Sequence, residues 1–396
     1  MKKTILKISA GTVAAGLCVY AVFASMGISG IQAGSALVFL GLTAFVFAGG
    51  VGNMIHFDDD AGFLARAVVF FLAWSFVASA AGGAALAGLR NLAPLVGAFS
   101  IFCGLAASSP RARAAYLSVA LMFFAVQSVY GIAQYFTGID ITRGGFSEPY
   151  LRVRGTLGYF NSLGGVLGMM LPVAAGFAVF PSDKKKKLPY AVAAVLMAGA
   201  LLATFTRGAW IGAAAGVAVV FFLRYGRRAF FIFALLPAML FLAPVRSRLA
   251  DIKSRPETER VYMWRKSAAM IKTSPVLGFG AGGFERAAAR DAAAGIIQKH
   301  FHPHNIFMAA ALDGGIPLAL ALAAFLFVMF RRAAKTFVLA RASSSGGASV
   351  MPAALAAGVL GSLTDFAAHG MVDNLFSGET LYLLWFLAGC LFFYEK

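Results

Sequence analysis

The sequence predicts an all-α, polytopic membrane protein with about 12 transmembrane helices, and three observations support this class. Of the 396 residues, 60% are hydrophobic and only 13% are charged. A soluble domain is closer to half apolar and a quarter charged. The mean hydropathy is +0.80, and apolar runs long enough to cross a bilayer recur along the whole chain. Because backbone groups in lipid must satisfy one another, we expect these runs to be helices.

The apolar runs set the order of the predicted elements. The first run follows Lys2 and Lys3 and resembles a signal peptide, but we interpret it as an uncleaved helix. The predicted spans are 5–28, 33–52, 66–88, 92–108, 115–137, 157–180, 188–205, 208–224, 229–245, 304–330, 351–369 and 376–394.

Lysines and arginines in the short loops predict the orientation of these spans. They fall in every second loop, which the positive-inside rule assigns to the cytoplasm. An even number of spans with both termini cytoplasmic follows. The residues concerned are Lys2, Lys3, Lys7, Arg66, Arg111, Arg113, Lys184 to Lys187, Arg224, Arg227, Arg228, Arg331, Arg332, Lys335 and Arg341.

The opposite face carries the polar segments, and we predict one integral membrane domain, 1–396, with a long external loop, 246–303, between spans 9 and 10. This loop holds eleven basic and five acidic residues. Long loops obey the positive-inside rule poorly, so the topology stands. A basic external loop favours an anionic ligand; the alternative is a solvated face that touches lipid headgroups.

Three of the five histidines lie in the stretch "KHFHPHNIF", at the end of the external loop. His300, His302 and His304 offer three metal ligands, but Pro303 breaks helical spacing and no cysteine is near. A structural role is a second possibility. Catalysis is the third, because histidine accepts or donates a proton near neutral pH. Asn305 would then orient a substrate or a ring.

Arginines stand at other predicted helix entrances on the same face. "TFTRGAW" contains Arg207, and "RVRGTLGYFN" contains Arg154 and Asn161. "ERVYMWR" contains Arg260 and Arg265. An arginine at the membrane boundary suggests functional use, and its planar fork suits phosphate oxygens. Together with the histidines, these arginines suggest a pyrophosphate site.

The ordered set "RGTLGYFN", "TFTRGAW", "ERVYMW…SPVLGFGAGGF", "HPHNIFMAAALDGGIP" and "HGMVDN" resembles the O-antigen ligase and polymerase family of bacterial envelope glycosyltransferases. The resemblance runs from about residue 120 to 375. It implies a GT-C-like helical fold, an active site on the periplasmic face of the inner membrane, and a reaction without metal or other cofactor. The implied donor is a glycan on undecaprenyl pyrophosphate.

The resemblance also implies which residues act. Arg207, Arg260 and one histidine of "HPHN" are the expected catalytic residues, with His304 favoured over His302. The expected substrate-binding residues are Arg154, Asn161, Arg265, Asn305 and Asp373, and for Asp373 we expect an arginine partner.

The acceptor would decide the activity. Lipid A–core as acceptor makes the protein an inverting O-antigen ligase, which we favour; a second lipid-linked repeat makes it a polymerase. A flippase or secondary transporter is the alternative of another class, because twelve spans also suit a carrier. The expected partners are the lipid-linked donor, a glycolipid acceptor and membrane lipids, with no nucleic acid.

Overall fold

A computed structural model describes residues 2–47, 59–145, 152–181, 183–229, 255–295, 302–344 and 351–392. These residues form thirteen α-helices, one 3-10 turn (Gly226–Arg228) and one small hairpin. The hairpin pairs β1 (Ile139–Asp140) with β2 (Gly144–Gly145) in antiparallel register. The helices are α1 (Lys2–Phe23), α2 (Ile28–Phe47), α3 (Asp59–Ala81), α4 (Ala85–Ala106), α5 (Pro110–Thr137), α6 (Phe160–Val179), α7 (Lys184–Ala203), α8 (Arg207–Tyr225), α9 (Arg255–Thr273), α10 (Gly283–Ala293), α11 (Ile306–Ser344), α12 (Met351–Gly370) and α13 (Gly378–Phe392).

The helices confirm the predicted fold class, an all-α polytopic membrane protein. Within the described residues, ten helices are long and apolar enough to cross a membrane, and Gly378–Leu391 is a shorter apolar helix. Large apolar side chains such as Phe47, Phe136 and Val195 stand exposed on the bundle surface, as expected where lipid covers them. Nearly all of the span predicted at 229–245 lies outside the described residues.

Helix α11 differs most from its predicted span, 304–330. It continues to Ser344, through the basic residues that were expected to form a loop. It is also interrupted, because Gly314 and Gly315 have non-helical backbone angles inside it. Hydropathy detects neither feature, since a basic helical turn resembles a loop and a break of two residues does not interrupt an apolar run.

The centre of the bundle is built by close backbone contacts among α6, α8 and α12. A Cβ added to Gly361 on α12 would lie 2.5 Å from the carbonyl oxygen of Gly216 on α8. A Cβ added to Gly176 on α6 would lie 2.5 Å from the carbonyl oxygen of Ala354 on α12. Small residues of this kind let membrane helices approach closely. As a result, the end of α12 and the start of α8 lie side by side, which sets up the polar site described below.

The predicted loop 246–303 contains two helices that pack on the bundle. Met263 of α9, Phe284 and Ala288 of α10 and Leu312 of α11 form one buried apolar cluster. Lys266 of α9 reaches α10, where it donates to the Ala287 carbonyl over 3.1 Å and pairs with Asp291. This part of the segment predicted to be external is therefore a folded cover, attached to α11, and not an extended loop.

Candidate functional site

A histidine–aspartate pair lies where the start of α11 meets the segment that follows α12. Nδ1 of His304 is 2.9 Å from Oδ1 of Asp373, and the Asn374 backbone N–H donates to the same oxygen over 2.8 Å. Both side chains of the pair are largely buried, with 14% and 9% of their surface exposed. The prediction that Asp373 pairs with an arginine was wrong, because the ion-pair partner of Asp373 among the described residues is His304.

The charge state of Asp373 determines which ring nitrogen of His304 carries a hydrogen. Burial by itself would raise the pKa of the Asp373 carboxyl. The hydrogen bond from His304 and the positive charges of His304, His369 and His302 oppose burial, and together they hold this pKa below its ordinary value. An ionised carboxylate only accepts hydrogen bonds, so Nδ1 of His304 must donate to it. In the neutral ring, Nε2 is then the basic nitrogen.

The backbone around His304 is held in an uncommon conformation. His304 has a φ of +52°, a left-handed value that non-glycine residues rarely adopt. Its backbone N–H donates to Nδ1 of His302 over 3.3 Å, and the two rings meet edge to face with centroids 4.4 Å apart. The indole N–H of Trp264 on α9 donates to the Pro303 carbonyl over 3.0 Å. Strained residues persist only where their surroundings determine them, and they cluster at functional sites.

Asn305 caps α11 and attaches it to the segment after α12. Its side-chain oxygen accepts from the N–H groups of Phe307 and Met308 over 3.0 and 2.9 Å. Its amide nitrogen donates to the Met371 carbonyl over 3.0 Å. Both polar atoms of the side chain are thus engaged within the protein. The geometry supports a positioning role, and direct substrate binding by Asn305 stays a prediction.

Arg207 is the first residue of α8 and follows a tightly constrained corner. Phe205 has a φ of +52°. Arg152 donates to the carbonyls of Thr204 and Phe205 over 3.1 and 3.2 Å, and its guanidinium lies 3.2 Å from the centroid of the Phe160 ring. Arg152 was missed by sequence reasoning, because the two carbonyls to which it donates lie about fifty positions further along the chain.

Asn161 also supports this corner. The hydroxyl of Thr206 donates to its side-chain oxygen over 3.1 Å. Asn161 therefore contacts the residue that directly precedes Arg207. Its predicted role in substrate binding stays a prediction. The observed contact ties the start of α6 to the start of α8.

His369, near the end of α12, connects the Arg207 corner to the histidine–aspartate pair. A Cβ added to Gly208 would lie 2.7 Å from Cδ2 of the His369 ring. The His369 carbonyl accepts from the Asp373 N–H over 3.0 Å. The charge of Arg260 on α9 also acts on the His369 ring. His369 therefore lies beside the start of α8, where Arg207 stands, it is within reach of the Arg260 charge, and its carbonyl bonds to Asp373. The sequence had placed His369 in a motif without a role.

The two arginines predicted on α9 do not share a face of that helix. Arg260 is half-buried and lies one turn before Trp264, which contacts the histidine segment. Arg265 is exposed; five residues after Arg260, it points about 140° away around the helix. Its role in substrate binding stays a prediction, and the geometry favours Arg260.

Arg154 belongs to a separate ion pair. Its Nε donates to Oδ2 of Asp140 over 2.8 Å. Asp140 also accepts from the N–H and hydroxyl of Thr142 over 2.9 and 2.6 Å and from the Tyr130 hydroxyl over 3.2 Å. Burial raises the pKa of Asp140, but these hydrogen bonds outweigh it and lower the pKa to about 2. Arg154 thus neutralises a carboxylate of the hairpin, and phosphate binding by this residue stays a prediction.

His302, His304 and Asp373 also offer a potential metal site. One ligand atom from each lies within 4.8 Å of the others, and two histidines with a carboxylate suit several transition metals. Nδ1 of His304 and Oδ1 of Asp373 already contact each other, so a cation that used these atoms would have to replace their hydrogen bond. The expectation that no metal is needed stays a prediction. His300 lies outside the described residues.

The bundle and its site define a multi-pass membrane protein with histidine, aspartate and arginine side chains gathered at one end of its helices. A family model described as O-Antigen ligase matches residues 192–323. This match covers about a third of the chain and includes Arg207, Arg260, His302, His304 and Asn305, so this part of the chain is similar to the O-antigen ligase family. No curated protein matches the chain.

Proposed function

We propose that the protein is an inverting, metal-independent glycosyltransferase that moves a glycan from undecaprenyl pyrophosphate to an acceptor hydroxyl at the periplasmic face of the bacterial inner membrane. The observation that carries the proposal is the His304–Asp373 pair, 2.9 Å between Nδ1 and Oδ1, set beside the Arg207 corner. A base oriented by a carboxylate, next to fixed cationic groups, suits attack by a hydroxyl on a phosphate-activated sugar.

His304 is the proposed general base. As the acceptor oxygen bonds to the anomeric carbon, its proton passes to Nε2 of His304. Asp373 holds the ring by its other nitrogen and stabilises the imidazolium that forms. The sugar–oxygen bond to pyrophosphate breaks on the opposite face of that carbon, so the anomeric configuration inverts.

Arg207 and Arg260 are the proposed stabilisers of the leaving pyrophosphate, which keeps the electron pair of the broken bond. Charge that grows on phosphate oxygens is best met by donors that are already in place. Arg207 is held by the corner that Arg152 and Asn161 support, and Arg260 stands on the covering helix α9. His302 and Asn305 set the backbone that carries His304.

Lipid A–core is the acceptor we favour, which makes the activity O-antigen ligation; polymerisation of lipid-linked repeats is the alternative. Ligation and polymerisation are both compatible with the family match over residues 192–323. A carrier is less well supported, because carriers place their substrate near the membrane midplane, whereas these side chains lie at helix ends.

Reconstitution in proteoliposomes tests the proposal. The purified protein would receive an undecaprenyl-pyrophosphate glycan together with equal amounts of lipid A–core and a second lipid-linked repeat. Glycosylated lipid A–core is the expected product; elongated lipid-linked glycan would make the protein a polymerase. Transport of the donor without transfer to either acceptor would overturn the proposal.

The arginine variants test the mechanism in the same assay. Arg207→Ala and Arg260→Ala should each lower the rate by about 10²–10³-fold. Arg207→Lys should also be poor, because an ammonium does not reproduce the two-pronged donor. Arg227 is exposed in the turn that follows α8, so Arg227→Ala is the matched control and should keep full activity. A near-normal rate for Arg207→Lys would mean that the site needs charge and not geometry.

A further inference from the structure

A cavity of about 260 Å³ adjoins the histidine–aspartate pair on the side of α3, α4 and α11. Ile306, which follows the Asn305 cap, and Asn374, which follows Asp373, form its boundary with the site. Among the described residues, none of those lining it belongs to α8 or α9, the helices of Arg207 and Arg260. The cavity lining and the two arginines therefore come from different helices.

The polar side chains that line this cavity are neutral or acidic. Asp313 of α11 contributes a carboxylate, Asn91 and Asn374 contribute amides, and Ser75 and Ser377 contribute hydroxyls. No lysine or arginine lies among the described lining residues. Such groups accept from and donate to hydroxyls, whereas a carboxylate without a cation in the lining disfavours a phosphate.

Asp313 points into the cavity from the interruption in α11. The chain between α9 and α10 bonds to the backbone on both sides of this interruption. The Phe279 N–H donates to the Leu312 carbonyl over 2.7 Å, and the Ile316 N–H donates to the Pro275 carbonyl over 2.7 Å. The indole of Trp74 donates to the Gly314 carbonyl over 2.7 Å. The neighbouring backbone groups are thus satisfied without Asp313. Non-helical backbone within a membrane helix is tolerated where it lines a cavity, and it often marks a binding site.

The carboxylate of Asp313 is half-buried and has no hydrogen-bond partner among the described residues. The charge of Arg286 acts on it from α10, but the guanidinium of Arg286 donates to the carbonyls of Ala281 and Phe279. A half-buried carboxylate is costly unless something bonds to it. Ligand hydroxyls would satisfy it.

Aromatic rings complete the lining. Phe71 and Phe376 both border the cavity, with ring centroids 5.5 Å apart. A pocket that combines aromatic walls with a few converging polar groups is typical of small-molecule sites. The volume of about 260 Å³ is close to the lower end of the range for small-molecule pockets, roughly 300–1,000 Å³, which suits a ligand the size of one sugar ring.

We propose that this cavity binds the terminal sugar of the acceptor glycan, with Asp313 as its main hydroxyl acceptor. The inference rests on the proposed function, because it takes His304 as the base that the acceptor hydroxyl must reach. In-line displacement requires acceptor and pyrophosphate on opposite faces of the reacting carbon. A cavity whose described lining shares no helix with Arg207 or Arg260 gives the acceptor a place apart from the pyrophosphate that these arginines are proposed to hold.

Kinetics and direct binding together test this site. In the reconstituted assay, Asp313→Asn should raise the KM for the acceptor by about 10- to 100-fold, the range for a lost charged hydrogen bond, with the KM for the donor unchanged. Asp183→Asn is the matched control: Asp183 is exposed and caps α7, and asparagine caps equally well. A rise in the KM for the donor alone would overturn the proposal.

Binding is measured separately by saturation-transfer NMR, with the full-length protein in detergent and delipidated core oligosaccharide as the probe. Wild type and Asp183→Asn should bind the oligosaccharide, and Asp313→Asn should bind it at least about tenfold more weakly. If Asp313→Asn does not fold, Asn91→Ala serves instead, since Asn91 is exposed; its affinity should fall by a smaller factor.

The two assays separate the two proposals. Equal binding by wild type and the cavity variants, or no binding by wild type, would overturn the sugar site. Weakened binding in the variants, combined with no transfer by wild type to any acceptor, would overturn the proposed transferase and leave the saccharide site standing.

Discussion

At the scale of single residues, the two described histidines before α11 make different contacts. His302 holds the His304 backbone through its ring nitrogen, and Asp373 holds the His304 ring. His304 combines a carboxylate partner with a second ring nitrogen that can take up a proton. The two histidines therefore have different expected roles, one catalytic and one that positions it.

We expect His304→Ala to lose transfer activity by about 10²–10⁴-fold, the contribution of a general base. His302→Ala should lose less, because it removes a support of the turn and leaves the pair with Asp373. Initial rates at saturating donor and acceptor measure both, with membrane insertion and thermal stability as controls. A loss below about tenfold in both variants would assign the histidines a structural role and leave catalysis to the arginines.

The possible cation site formed by His302, His304 and Asp373 leads to a second prediction. Because Nδ1 of His304 and Oδ1 of Asp373 are bonded to each other, we expect transfer to survive treatment with excess EDTA. Rates before and after chelation, with metal content checked by elemental analysis, measure this. Loss of activity that magnesium, manganese or zinc restores would show that Asp373 is a metal ligand.

Asp140 gives a prediction about stability and pH. Its pKa lies at about 2, below the ordinary value of 3.8, so the folded state favours the ionised form. The resulting stabilisation is complete above about pH 4 and is lost as the pH falls towards 2. Asp140→Asn should lower the free energy of unfolding by about 1.5–3 kcal/mol near neutral pH, and this difference should shrink on acidification. Melting curves from pH ~7 to ~3 measure it; a difference that does not vary with pH would contradict the assignment.

At the scale of elements, the interruption in α11 joins the membrane bundle to its cover. The segment Pro275–Phe279 bonds to the backbone on both sides of Gly314 and Gly315. The same α11 begins at the Asn305 cap and carries Asp313 into the cavity. Its first two turns therefore lie between the candidate base and the proposed sugar site, so their position matters to both.

Gly315→Ala should disrupt this junction. Gly315 has a φ of +73° and a ψ of −176°, a region essentially limited to glycine, and another residue there costs about 1–3 kcal/mol. A Cβ would also overlap the Val276 carbonyl and lie 2.7 Å from that of Pro275. The variant should melt at a lower temperature and lose activity. Gly11→Ala in α1, where a Cβ meets nothing within 4 Å, is the control. Equal melting temperatures for Gly315→Ala and the wild type would contradict the proposed importance of this junction.

At the scale of the whole molecule, the sequence was sufficient for the fold class but not for the site geometry. Apolar runs reveal membrane helices because each run is local, and the described helices overlap their predicted spans. Contacts between distant residues leave no such local pattern. Asp373 lies 69 positions after His304, and Arg152 lies about fifty positions before the carbonyls that it binds. The "HPHN" and "TFTR" stretches were recognisable, whereas Asp373 was paired with the wrong partner and Arg152 was missed.

Orientation in the membrane is the remaining prediction, and every proposed role depends on it. Helix α7 begins with four lysines, Lys184–Lys187, and ends at Ala203, beside the Arg207 corner. Its 20 residues span about 30 Å, the thickness of a bilayer core, so the lysines and the site lie on opposite faces. Lysine-rich short loops are typical of the cytoplasmic side, so we expect the site to lie on the periplasmic side.

Reporter fusions test this orientation directly. A periplasm-active enzyme fused after Arg290, in the cover, should be active, and the same enzyme fused after Lys186 should not. A cytoplasm-active reporter at the same two positions is the matched control and should give the reverse pattern. Activity of the periplasmic reporter at Lys186 and not at Arg290 would place His304, Asp373 and Arg207 in the cytoplasm, where a glycan donor that faces the periplasm could not reach them.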